Sequence, residues 1–174
     1  MTRTTSLAPL AAPARPSTAP EPWTHRLERV RDALEAARQV LTERGWTSGA
    51  WFSVREPGGE TRPVGTREAL ALRTQPSAVA SACLVGTLLQ LTDDPDTAHT
   101  VGDVWGCVDE LYEALHERMG HDTWPPGHVF APDQRRARLQ GLTAWNDAPG
   151  RSQADVLDLL DRAVTRTVLG ACRR

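Results

Sequence analysis

The sequence predicts a mainly α fold, a compact bundle of about five to six helices with a short β-hairpin after the first helix. Three observations carry this. Apolar residues recur at i, i+3, i+4 and i+7 over several long stretches, capping and stop residues stand at the ends of those stretches, and one short segment around a Pro-Gly-Gly turn breaks the helical period.

Residues 1–22 read differently from the rest. They hold Pro9, Pro13, Pro16, Pro20 and Pro22 among Ala, Ser and Thr, with too little apolar surface to offset the entropy of ordering. A disordered tail over 1–22 is expected, then a single helical domain over 23–170 and a C-terminal tail over 171–174. The same prolines interrupt what would be the apolar stretch of a signal peptide.

The first helix is expected from Thr24 to Arg44, where Leu27, Val30, Leu34, Ala37 and Leu41 form one stripe. Gly45 is expected to end it in a left-handed cap, with Trp46 folding back onto the helix end. Trp51 to Val54 and Thr61 to Val64 flank Pro57-Gly58-Gly59 as a hairpin, and Pro63 assigns the second strand to an edge. Thr66 opens a short helical turn through Leu72. Between Pro76 and Leu91 apolar residues cover most of a helix circumference, which predicts a buried helix. Gly86 within it marks the close approach of another backbone. A further helix is expected from Asp96 to Met119, ended by Gly120. Pro132 opens one that runs towards Trp145, and Ser152-Gln153-Ala154-Asp155 is a capping box for the last.

Charge and cysteine content narrow the function classes. With 174 residues, a formal charge of −2 and a pI near 6.2, the chain has no field to attract nucleic acid or an anionic membrane, and no basic patch stands out. No apolar run approaches a membrane-spanning length. Cys83, Cys107 and Cys172 are too few for a disulfide framework, so a reducing cytoplasm is expected. The expected partner is a protein or a small molecule, with no cofactor and no metal.

Three stretches carry a family resemblance: Leu41-Thr42-Glu43-Arg44-Gly45-Trp46-Thr47-Ser48-Gly49-Ala50, Ala82-Cys83-Leu84-Val85-Gly86-Thr87-Leu88, and Trp145-Asn146-Asp147-Ala148-Pro149-Gly150-Arg151-Ser152. Together they resemble a family of small helical proteins from actinobacteria and their phages, known only as a domain of unknown function. The resemblance implies a helical domain over roughly residues 26 to 166, and it implies no activity, cofactor or catalytic residue. The loop around Trp124 lies outside those three stretches.

Five residues are candidates for a ligand site: Trp145, Asn146, Asp147, Arg151 and Trp124. The first four place an indole, an amide, a carboxylate and a guanidinium beside a helix N-terminus, where anions bind. Turn and capping chemistry accounts for the same residues, with Trp145 as a core anchor and Asp147–Arg151 as a local ion pair. Trp124-Pro125-Pro126-Gly127-His128-Val129-Phe130 reads as a docking loop, or as a connector whose aromatics plug the core. Cys83 as a nucleophile, with His99, His116, His121 or His128 as base, is weaker than Cys83 as a core residue, because desolvation disfavours a buried thiolate. Glu113-x-x-His116 is half of a di-iron pattern without its second half, and a solvated polar face explains it better. The expected function is a non-catalytic module that binds a partner or small molecule. The alternatives are a biosynthetic enzyme with Asp147 or a His moving protons, and a structural component of a phage or host assembly.

Overall fold

A computed structural model describes residues 22–72, 78–92 and 99–172. The tail expected over 1–22 thus lies, Pro22 aside, outside the described residues. The elements run α1 (Trp23–Arg44), β1 (Phe52–Arg55), β2 (Thr61–Pro63), α2 (Thr66–Leu72), β3 (Val79–Ala82), α3 (Leu84–Leu91), α4 (Val101–Arg118), α5 (Pro132–Asn146) and α6 (Gln153–Cys172). The fold is mainly helical, as predicted, with a small antiparallel sheet.

α1 is the central element, packed against α6, α3 and α4. Its stripe of Leu27, Val30, Leu34, Ala37 and Leu41 is buried, and all but Leu27 share one core cluster with Leu84 and Leu88 of α3, Leu111 of α4, Leu142 of α5 and Leu159 and Leu160 of α6. Burying each such leucine contributes roughly 1.5–3 kcal/mol. Gly45 ends the helix at φ 94° and ψ 165°, a positive-φ cap, but its ψ lies outside the left-handed helical region that was expected. The chain then runs beside β3, with Thr47 N–H donating to the Ala82 carbonyl.

The expected helix from Pro76 to Leu91 requires correction. Val79 to Ala82 form a strand, the helix begins at Leu84, and Pro76 lies outside the described residues. The hairpin is therefore extended to a three-stranded sheet in the order β2-β1-β3, with Pro63 on an edge strand as expected. A short apolar run has no period that separates buried strand from buried helix, and here pairing with β1 decides. Cys83 is the N-cap of α3, its Sγ accepting the Gly86 N–H at 3.2 Å. Gly86 does lie against another backbone: a Cβ there would overlap the Trp51 carbonyl and the Phe52 ring.

α4 starts later than expected, at Val101 rather than Asp96. Thr100 and Asp103 form a capping box that sets the start, and Asp96 lies outside the described residues. Arg29 reaches Asp103 at 3.0 Å from α1. The Ser152–Asp155 box at α6 forms as predicted.

The polar side of α4 differs from the sequence expectation. Glu113 belongs to no solvated face. Asp109, Glu110 and Glu113 are all buried, paired with Arg135, Arg166 and Arg138 respectively. The arginines arrive from α5 and α6, 25 to 56 residues away in sequence. His116, the other half of the considered iron motif, stacks on Tyr112.

Candidate functional site around the Trp124 loop

The five candidate residues fall into two separate places. At the end of α5, Asn146 is 1% exposed and its amide is fully used inside the chain. Its Oδ1 accepts Trp46 Nε1–H at 2.8 Å and the Leu84 N–H at 3.2 Å. Its Nδ2 donates to Asp147 Oδ1 at 2.7 Å and to the Thr47 carbonyl at 3.4 Å. Asp147 Oδ1 also accepts the Gly49 N–H at 2.9 Å. The three stretches that carried the resemblance thus meet at one point, each supplying part of a single hydrogen-bond cluster.

Arg151 does not pair with Asp147, which corrects that expectation. Its guanidinium lies over the Trp145 ring at 4.0 Å, its Nε donates to the Trp145 carbonyl, and Asp155 is its acidic partner at 3.8 Å. Trp145 is half-buried against the core, in keeping with an anchor. Asp147 lines a cleft of about 290 Å³ together with Cys83, Trp51 and Thr143. Burial pushes the Cys83 thiol up to about 11, and its sulfur is occupied by the helix cap. Cys83 is thus no activated nucleophile. Burial likewise raises Cys107. Among the described residues, no group of three His, Cys, Asp or Glu side chains is placed to hold a metal ion, and no helix is long and apolar enough to cross a membrane.

Trp124 stands elsewhere, in the loop between α4 and α5. Pro126 and Gly127 occupy the centre of a turn closed by His128 N–H to the Pro125 carbonyl, with Gly127 at φ 77° as a type II turn requires. The buried charges of α4 and α6 hold this loop by its backbone. Glu113 Oε2 accepts the Trp124 N–H at 2.8 Å, Arg166 Nη2 donates to the Trp124 carbonyl at 2.8 Å, and Glu110 Oε1 accepts the Gly127 N–H at 2.6 Å. Arg138 clamps Glu113 from below and lies 3.3 Å from the centre of the Phe130 ring. Burial pushes the Glu110 carboxyl above its usual range, against the opposing pull of the Gly127 N–H and Arg166.

The aromatics of the loop divide their roles. Phe130 is buried, as a plug was expected to be. Trp124 is not a plug: it is 55% exposed, with one side stacked on His128 at 4.4 Å. Beside it opens a cleft of about 350 Å³ lined by Trp23, Trp124, Pro125, Pro126, Arg166 and Leu169, among others. Gly127 and Gly170 allow this wall to close up, because a Cβ on either would overlap Trp23 or Pro126. Trp23 and Arg166 were not singled out in the sequence. An Arg at helical spacing carries no sign of a buried partner 42 to 56 residues away.

A family model described as Family of unknown function (DUF6197) matches residues 25–166. The chain belongs to this family. No curated protein and no solved structure matches it. The matched span contains both the Asn146 cluster and the Trp124 loop, and the family's description assigns a role to neither.

Proposed function

We propose that this protein is a non-catalytic module that binds a protein segment at the face formed by the Trp124 loop. One observation carries the reading. Glu110, Glu113 and Arg166, all buried, engage the backbone of residues 124–127, while the Trp124 side chain is left 55% exposed. Burying a charge costs several kcal/mol before its partners offset it. What the partners secure here is the position of a loop rather than apolar packing. A rigidly held, half-exposed Trp beside Leu169 has the character of an interface anchor, since Trp presents a large apolar area at little entropic cost. We further place the module in the reducing cytoplasm of an actinobacterium or of a phage-infected host, where its three thiols stay free.

Selection of a display library of random twelve-residue peptides on the wild-type protein tests this. Selected peptides share a consensus, and in a chain carrying Pro13→Ser and Pro16→Ser, where the N-terminal prolines do not compete for the face, Trp124→Ala weakens them by about 30-fold, the effect of an anchor worth about 2 kcal/mol. The melting temperature stays within about 2 °C of wild type, as expected for an exposed side chain. Peptides without a consensus, or bound equally by Trp124→Ala, refute the reading.

The catalytic alternative rests on Asp147 in the cleft beside Cys83. It requires an Asp147→Asn protein that folds normally and loses a measurable turnover.

A further inference from the structure

The cleft beside Trp124 has a lining that suits one chemistry of occupant. Its walls are two indoles, Trp23 and Trp124, with the rings of Pro125 and Pro126 and the side chain of Leu169. Grooves walled by aromatic and proline rings take extended polyproline II segments. Such segments fill the slots with proline rings and lose little entropy, because they are already stiff.

A segment of that kind is joined to the rim. Trp23 is both the first residue of α1 and a wall of the cleft. The residue before it, Pro22, has φ −54° and ψ 130°, so the chain enters α1 in polyproline II geometry beside the cleft. Residues 1–21 lie outside the described part, and they carry Pro9, Pro13, Pro16 and Pro20. Pro13-Ala14-Arg15-Pro16 spaces two prolines by three residues, the repeat of a polyproline II helix, in which both rings would share one face. Arg15 lies between them, and the rim of the cleft carries Glu117, which is 61% exposed with its Oε2 held by Arg166. The six residues between Pro16 and Trp23 span up to about 20 Å in this conformation, enough to turn back along the cleft.

We infer that the chain's own proline-rich segment, centred on Pro13 to Pro16, docks in the Trp23–Trp124 cleft and must be displaced before an external partner binds. The inference rests on the reading of the Trp124 face as a recognition surface and adds its occupant. A tether this short gives an effective concentration on the order of 1 mM, so an intrinsic affinity near 0.1 mM keeps the cleft about nine-tenths occupied.

The test uses the full chain in two forms, one with its natural segment and one carrying Pro13→Ser and Pro16→Ser. Both carry Cys172→Ser and Ala11→Cys, and a nitroxide is attached at position 11. The buried Cys83 and Cys107 are left unlabelled. Paramagnetic attenuation is read at the Trp124 indole N–H and the Leu169 amide, both far from the label in sequence. Attenuation is expected to be at least about threefold stronger with the prolines present, as follows from nine-tenths occupancy. A free peptide with the sequence of residues 9–22 is expected to bind the unlabelled Pro13→Ser/Pro16→Ser chain about tenfold tighter than the unlabelled natural chain, since only a tenth of the latter is open.

Equal attenuation in both forms overturns the inference, and so does attenuation that fades on dilution, which would assign the segment to a second copy of the chain. Equal peptide affinity for the two chains, with Trp124 still required for peptides from the display selection, sinks the intrachain segment and leaves the recognition surface standing. Loss of the Trp124 dependence itself removes both.

Discussion

Replacing Asn146 by Asp is a nearly isosteric change that isolates the hydrogen-bond cluster at the end of α5. The introduced carboxyl keeps the acceptor used by Trp46 Nε1–H and the Leu84 N–H. It loses the Nδ2 donor, which faces Asp147 Oδ1 at 2.7 Å. Two ionised carboxylates about 3 Å apart repel by about 5 kcal/mol at an effective dielectric constant of 20. Holding the new group protonated at pH 7 costs about 1.36 kcal/mol for each of some three pH units, or about 4 kcal/mol, and this smaller figure sets the loss.

The sign follows from linkage. The introduced carboxyl has a folded-state pKa above its unfolded value near 3.9, so the folded chain holds a proton that the unfolded chain lacks. Stability relative to wild type is present below about pH 4 and falls as pH rises, by about 1.4 kcal/mol per unit, until the folded pKa is passed. Asn146→Ala is the control. It strands the two donors at about 1–3 kcal/mol each, with no dependence on pH. Urea melts of the three proteins at pH 4, 5.5 and 7 measure these differences. A loss for Asn146→Asp that is the same at pH 4 and pH 7, or smaller than about 1 kcal/mol at pH 7, refutes the assigned geometry.

Other outcomes follow from single contacts. Gly86→Ala drives a methyl into the Trp51 carbonyl and the Phe52 ring, neither of which can give way freely, so thermal melts should show a loss of about 1–3 kcal/mol or more. Gly102→Ala, exposed in the first turn of α4, should leave stability unchanged or raise it by up to about 1 kcal/mol. Arg138→Met removes the partner of buried Glu113 and should cost about 3–5 kcal/mol, and adding Glu113→Gln should recover at least about 1 kcal/mol in a double-mutant cycle. A thiol reagent at pH 8 should label Cys172 in the native chain, with Cys83 and Cys107 reacting only after denaturation. Rapid native labelling of Cys83 would contradict its role as the cap of α3.

The parts legible in the sequence are those decided over a few residues. The α1 stripe, the Ser152–Asp155 box, the Pro-Gly-Gly hairpin and the edge position of Pro63 each depend on neighbours within a turn or two, where spacing encodes contact. Gly86 was readable for a related reason, since a glycine inside a helix is costly unless something needs its space.

Tertiary structure decided the rest, through partners far away in the chain. Val79 to Ala82 are a strand because β1 offers them an edge, and nothing in Val79-Ala80-Ser81-Ala82 states this beforehand. Glu110, Glu113, Arg138 and Arg166 each look like residues of a solvated helix face. Only the packing of α4 against α5 and α6 turns them inward, where buried charges require one another. The Trp145–Ser152 turn stands out in the sequence for its polar groups, and folding closes Asn146 and Asp147 on Trp46, Thr47, Leu84 and Gly49. Trp124 was visible as an aromatic among prolines. That it is left in solvent, above a loop pinned by buried charge, follows from the fold alone.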